Sequence, residues 1–244
     1  MAIEVFNRYE HKYKLTKEQF LKVSARLYEY MKADKHNNDG NFYTVSNIYF
    51  DTPDFTLIRK SLEKPIFKEK LRMRSYGFCR MDEPVFLEIK KKYRGIVNKR
   101  RTKMLQSEAL SFIKDDFVTF HDGMNIQVIK ELGYFIKVNN PEPKVYLAYD
   151  RLAFFQKGDN SLRVSFDTNI RARNYDLTLD KGDYGEKLLP DDVYLMEIKC
   201  DHFMPLWLAE ILDEYKIRKT SFSKYGIYYK TFILKNKAEE LIYE

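Results

Sequence analysis

In Lys68–Tyr76, KEKLRMRSY, four cations fall on alternate positions: Lys68, Lys70, Arg72 and Arg74, with Leu71 and Met73 between them. Successive side chains of a strand point to opposite faces, so the cations share one face and the apolar residues take the other. A sheet that simply turns its polar face to water has no reason to choose one sign of charge there. This strand therefore demands an architecture in which a densely cationic sheet face has a purpose.

The pattern recurs along the chain. In NRYEHKYKL, Arg8, Glu10, Lys12 and Lys14 fall on one face, opposite Tyr9, His11, Tyr13 and Leu15. In VFLEIKKKY, Glu88, Lys90 and Lys92 oppose Leu87 and Ile89. In LRVSFDTNI, Arg163, Ser165, Asp167 and Asn169 oppose Leu162, Val164 and Phe166. In YLMEIKC, Glu197 and Lys199 oppose Met196, Ile198 and Cys200. In LAYDRLAF, Arg151 keeps the face of Tyr149 and Leu147, a weaker match. One such strand reads as a solvated face; the recurrence calls for apolar faces packed under helices and charged faces lining something else. A sheet closed around a hydrophilic lumen meets both demands.

The helices are present to do this. Thr16 with Gln19 forms a capping box ahead of a run spaced Phe20, Val23, Leu27, Met31. Further helices are expected over Asp54–Leu62, Ser107–Lys114, Asn125–Leu132, Pro205–Tyr215 and from Ser223 to about Lys237. Strands are expected over Phe6–Leu15, Tyr43–Phe50, Pro65–Tyr76, Val85–Tyr93, Ile96–Met104, Lys144–Gln156, Leu162–Ala172 and Val193–Cys200. No linker or low-complexity tract divides these elements, so residues 1–244 read as one α+β domain dominated by an antiparallel sheet.

Composition narrows the partners. With 44% hydrophobic residues the chain can bury a core, and 43 Lys and Arg against 36 Asp and Glu give a formal charge of +7, an attraction for polyanions. Cys79 and Cys200 have neither disulfide nor zinc spacing and read as buried thiols. The histidines (His11, His36, His121, His202) lack ligand spacing. The N-terminus lacks the apolar run of a signal peptide and no stretch is apolar for long enough to span a bilayer, so a cytoplasmic protein is expected.

A lumen crowded with like charge is unfavourable unless a polyanion fills it. Arg and Lys suit phosphate oxygens. The interspersed Glu10, Glu88, Asp167 and Glu197 suit a hard divalent cation bridging phosphates, Mg²⁺ or Mn²⁺, although Glu197 could equally serve as an ion-pair partner for Lys199 or an arginine.

The segments RYEHKYKL, SNIYFDTPDF, KLRMRSYG, FLEIKKKYRGIVNKRR, YDRLAF, LRVSFDTNIR, LMEIKC and SFSKYG, in that order, resemble the VTC domain, the polyphosphate polymerase domain of the vacuolar transporter chaperone complex, within the triphosphate tunnel metalloenzyme superfamily. The resemblance implies a closed, eight-stranded antiparallel β-barrel (a CYTH-like triphosphate tunnel) with helices outside. It implies transfer of the γ-phosphate of ATP to inorganic polyphosphate. Carried over position by position, it implies phosphate ligands at Lys12, Arg72, Arg74, Lys90, Arg151, Arg163 and Lys224, with further substrate contacts at Lys99, Arg101, Lys199 and Ser223. Glu197 resembles the metal-binding glutamate, supported by Glu10, Glu88 and Asp167. The superfamily's Glu-x-Glu-x-Lys opening reads Arg8-x-Glu10-x-Lys12 here, which favours the polymerase branch. Neither an inositol-phosphate-sensing SPX domain nor membrane helices are expected, so export of product would need a membrane partner. Two other activities stay open: hydrolysis of tri- or polyphosphate in the same tunnel, and polyphosphate binding without turnover. Nucleic acid is disfavoured, because the aromatics lie on the face opposite the cations.

Overall fold

The structure, a computed structural model, describes residues 9–37, 41–94, 96–115, 117–158, 161–201 and 203–235. Arg8 and the start of the first expected strand, the turn glycine Gly95, His202 and the end of the last expected helix lie outside them.

The alternating segments become β1 (Tyr9–Thr16), β3 (Tyr43–Asp51), β4 (Phe67–Tyr76), β5 (Pro84–Tyr93), β6 (Ile96–Leu105), β7 (Glu142–Gln156), β8 (Leu162–Arg173) and β10 (Val193–Cys200). Three short strands join them: β2 (Met31–Ala33), β9 (Glu186–Lys187) and β11 (Lys219–Thr220). All are antiparallel in one sheet ordered β11-β1-β10-β8-β7-β3-β4-β5-β6, with β2 on β7 and β9 on β8. The expected closed eight-stranded barrel therefore needs correction. The sheet has eleven strands, and among the described residues no ladder joins its ends, β11 and β6.

The sheet is nevertheless strongly curled. Strands β1 and β5 stand six steps apart in the pairing order, roughly 29 Å in a flat sheet. Yet Lys90 Nζ on β5 lies 2.9 Å from Glu10 Oε1 on β1. Side chains, not backbone, close the gap.

Helices cover the convex face. Helix α1 (Lys17–Tyr30) is capped by the expected box: Gln19 N donates to Thr16 Oγ1 at 3.2 Å and Thr16 N to Gln19 Oε1 at 3.0 Å. With α5 (Leu206–Glu214) it buries Phe20, Val23, Leu27, Leu208 and Ile211 on the outward residues of β1, β7, β8 and β10. Helices α3 (Gln106–Asp115) and α4 (Ile126–Asn139) bury Phe112, Val128, Leu132 and Phe135 on Ile48, Leu71, Met73, Leu87 and Ile89.

Two more helices close one end of the concave face. Helix α2 (Thr56–Leu62) and α6 (Lys224–Tyr228), which runs on into a π turn over Tyr229–Ile233, place Ile58, Tyr225, Tyr228 and Tyr229 against Val145, Leu147 and Tyr49. The buried carboxylate of Asp51 ties them together. It accepts from Leu57 N (2.8 Å) and Ile58 N (3.0 Å) at the start of α2 and from the Tyr225 hydroxyl (2.9 Å) on α6. No helix among the described residues is long and apolar enough to cross a membrane, and both cysteines are buried free thiols.

Candidate functional site

Strand parity carries the cations to the concave face, and ladder register sets their neighbours. Arg72 lies opposite Glu88, Lys70 opposite Lys90, Lys90 opposite Lys99 and Glu88 opposite Arg101. On the other half, Lys12 lies opposite Glu197, Lys199 opposite Arg163 and Arg151 opposite Asp167. Arg100, by contrast, turns outward to Glu131 on α4 (2.9 Å), which settles the register of the NKRR run in favour of Lys99 and Arg101 inside.

Four of the arginines are braced. Arg72 Nε donates to Glu88 Oε2 (2.7 Å) and its Nη1 to the Tyr49 hydroxyl (3.3 Å). Arg74 donates to Asn47 Oδ1 (2.9 Å) and the Tyr149 hydroxyl (3.0 Å). Arg151 grips Asp167 with two bonds of 2.7 and 2.9 Å. Arg163 reaches Asp34 at 3.2 Å. Planar guanidiniums held this way are oriented before any ligand arrives, which is what bidentate recognition of phosphate requires.

The lysines are held more loosely. Lys12 donates to the Phe222 carbonyl (2.9 Å) and stands 3.7 Å from Glu197. Lys99 reaches Glu88 (3.1 Å), Lys224 reaches Asp167 (2.6 Å) from the first turn of α6, and Lys70 donates to Ser223 Oγ (3.3 Å), the N-cap of that helix.

Cations well outnumber carboxylates here, and the titration of the face reflects it. Burial opposes charge on Glu88, but Arg72, Arg74 and Lys99 outweigh it and hold the carboxyl well below its usual range. Burial likewise opposes charge on Asp167, and Arg151 with Lys224 takes it down to about 2. Burial pushes Lys70 down to about 8, helped by Lys12, Lys68 and Lys90. Burial against the pull of Glu88, with Arg74 and Arg72 adding repulsion, takes Lys99 to about 7. Tyr149, despite burial, falls to about 8 between Arg151 and Arg74. The surplus is of positive charge, which lowers the lysines and the Tyr149 hydroxyl together and would be offset by an anion.

The VTC domain family model matches residues 7–233, which include all of these side chains. This chain belongs to the VTC domain family. Among curated proteins it is similar to the vacuolar transporter chaperone complex subunit 2 of Schizosaccharomyces pombe, 24% identical over 216 residues, covering 73% of this chain and 29% of that subunit. Subunit 4 of the same complex is 25% identical over 222 residues, covering 74% of this chain and 30% of that subunit. The chain thus spans less than a third of these relatives. Among solved structures it is similar to a candidate adenylate cyclase from Bacillus halodurans (TM-score 0.54, 15% identity, 91% of this chain and 96% of that one). A candidate adenylyl cyclase from Hippeastrum, described as having a dominant triphosphatase activity, aligns with TM-score 0.50 at 13% identity over 93% and 96% of the two chains. At these identities the structural likeness speaks for the fold.

In this VTC domain all the expected phosphate contacts lie along the one concave face or, for Ser223 and Lys224, on the helix that closes its end. The four expected metal carboxylates do not gather. Glu10 and Glu197 are neighbours, with Lys199 3.9 Å from the first and 2.6 Å from the second; Glu88 and Asp167 sit apart, each within its own cation pair. No group of three or more His, Cys, Asp or Glu among the described residues is arranged to hold a metal. Asn169 also leaves the expected face. A register shift between Ala148 and Asp150 puts it in the left-handed region (φ 47°), and its amide turns away to Asp150 at 2.8 Å.

Three working residues were not expected: Asn47, Tyr49 and Tyr149, which orient Arg72 and Arg74. A polar Asn at 47 amid buried strand positions was the available signal. Lys70, to which the resemblance assigns no role, sits deep in the site against Ser223.

Proposed function

We propose that this domain transfers the γ-phosphoryl group of ATP to the terminal phosphate of an inorganic polyphosphate chain, releasing ADP, within a tunnel formed by the curled sheet. The observation that carries this reading is the braced, cation-rich concave face, whose arginines are oriented and whose lysines lack enough carboxylates to balance them. Membership of the VTC domain family supports the same chemistry, and the similarity to subunits of a vacuolar transporter chaperone complex fits a separate partner that takes up the product.

Phosphoryl transfer asks little covalent chemistry of the protein; alignment and charge neutralisation do most of it. An oxygen of the acceptor's terminal phosphate attacks Pγ, the bond from Pγ to the bridging oxygen breaks, and ADP leaves with that electron pair. The acceptor is already anionic, so no side-chain base is assigned. Arg72, Arg74 and Arg151 hold the donor in line, and Lys12, Lys90, Lys99, Arg101, Lys199 and Lys224 spread the developing charge. A divalent cation fits beside Glu10 and Glu197, because Mg²⁺ and Mn²⁺ settle on one or two carboxylates plus substrate phosphates and need no preformed protein cage. Held there by Glu10 and Glu197, such a cation would supply neutralisation of phosphate charge. Glu88 and Asp167 act instead by fixing Arg72 and Arg151.

A second reading, hydrolysis, draws support from the triphosphatase activity described for the Hippeastrum neighbour. Incubation with ATP and Mn²⁺ followed by gel separation discriminates. Long polyphosphate with ADP is the expected result; orthophosphate without polymer would establish hydrolysis instead. ATP bound but unchanged with either metal would leave a binding module.

A further inference from the structure

At the end of the concave face away from α6 the cations give way to aromatics. On β4 and β5 the order from α6 outward is Lys70 and Lys90, then Arg72 and Glu88, then Arg74 opposite Phe86, then Tyr76. Tyr43 on β3 is the register partner of Arg151. The rings form one group: His36 lies on Tyr76 with centroids 5.1 Å apart and planes 8° from parallel, Tyr43 flanks both at 5.8 and 6.1 Å, and Phe86 meets the edge of Tyr76 at 6.2 Å. Tyr76 keeps 41% of its surface exposed.

This is an odd place for a stacked aromatic group. A triphosphate alone gains nothing from it, and a core residue would not be left open to solvent. A second observation comes from the polar atoms beside it. The Tyr43 hydroxyl and Arg163 Nε are buried, border this rim, and have no hydrogen-bond partner among the described residues. Buried donors of this kind are normally satisfied. Flat exposed rings with idle polar groups nearby, two residues beyond the first phosphate-binding arginine, are what a nucleobase and its ribose use.

We infer that this rim is a nucleoside subsite: the base stacks on Tyr76 and His36, and Tyr43 and Arg163 take polar groups of the nucleoside. The assignment rests on the triphosphate reading of the same face and adds a direction to it. With the base at Tyr76, the phosphates follow along Arg74 and Arg72, and the γ-phosphate points to Lys70 and Lys90, next to the N-cap of α6. The subsite also separates two ligand classes, since a nucleotide uses the rim and an inorganic polyphosphate does not.

The test is calorimetric binding of ATP and of inorganic tripolyphosphate to the wild type, to Tyr76→Leu and to Tyr76→Phe. Loss of one stacking platform weakens binding roughly tenfold. Tyr76→Leu is therefore expected to lose about that factor for ATP and nothing for tripolyphosphate, while Tyr76→Phe behaves as wild type for both. Equal loss for both ligands, or no loss for ATP, would overturn the subsite. So would a wild type that binds tripolyphosphate but not ATP, which would leave the phosphate-binding face standing. A wild type that binds neither would overturn the triphosphate reading itself, and the subsite with it.

Discussion

The behaviour of the site turns on single charges whose partners are buried. Glu88 is fully buried between Arg72 and Lys99. Arg72→Ala would leave that carboxylate short of its main partner, and breaking a buried pair from one side costs about 3–5 kcal/mol. Urea denaturation should show this loss for Arg72→Ala and a clearly smaller one for Arg72→Lys. Phosphate binding should fall for both, because Lys cannot reproduce the guanidinium fork. Equal stability of wild type and Arg72→Ala would contradict the bracing role.

The depressed lysines make a prediction with a definite sign. Lys70 at about 8 and Lys99 at about 7 lie below the ordinary 10.5. Between those values and 10.5 the folded protein binds fewer protons at these groups than the unfolded chain, so their contribution destabilises at low pH and fades as pH rises. A bound polyanion favours the charged form and returns those protons. Triphosphate binding at pH 8 should therefore take up protons, seen as a dependence of calorimetric enthalpy on buffer ionisation, and affinity should fall from pH 7 to pH 9. Release of protons on binding would refute the assignment.

At the scale of elements, period-two alternation made the main strands and their inward residues legible, because parity is a local property of a strand. It could not reveal the Asn169 bulge, which inserts one residue and reverses parity beyond it, so that Ile170 and Ala172 face inward to the α6 core. Nor could it reveal Asp51 as the joint between two helices far apart in sequence. Asp51→Ala would strand the Tyr225 hydroxyl and the first amides of α2. A loss of roughly 2–4 kcal/mol follows from an unsatisfied buried group plus a lost helix cap, measurable as a lowered Tm. If α6 holds Lys224 and Ser223 in the site, triphosphate affinity falls with it. Gly185 is similarly constrained: a Cβ there would meet the Ala172 carbonyl oxygen at 2.6 Å. Gly185→Ala should accordingly lose about 1–3 kcal/mol through overpacking.

At the scale of the molecule, closure was the one expectation that alternation could suggest but not decide. Each strand's pattern reports which face is charged; whether the first and last strands share a ladder depends on tilt and stagger, which are properties of the assembled sheet. Among the described residues the first and last long strands, β1 and β6, are not paired with each other, and the Lys90–Glu10 contact crosses the gap. An anion lying along the concave face would touch Lys12 and Lys199 on one side of that gap and Lys90 and Lys99 on the other, so it should act as the missing closure. Mass action sets the size of the effect: a ligand at a hundred times its Kd adds about 2.7 kcal/mol to the stability of the folded state. Amide hydrogen exchange with and without tripolyphosphate checks where that stability appears. The edge strand β6 and the length of β1 beyond its short ladder with β11 should gain the most protection, with little change in β7 and β8, which are paired on both sides along their length. Protection spread evenly over the sheet would mean that the ligand stabilises the fold without bridging its open edges.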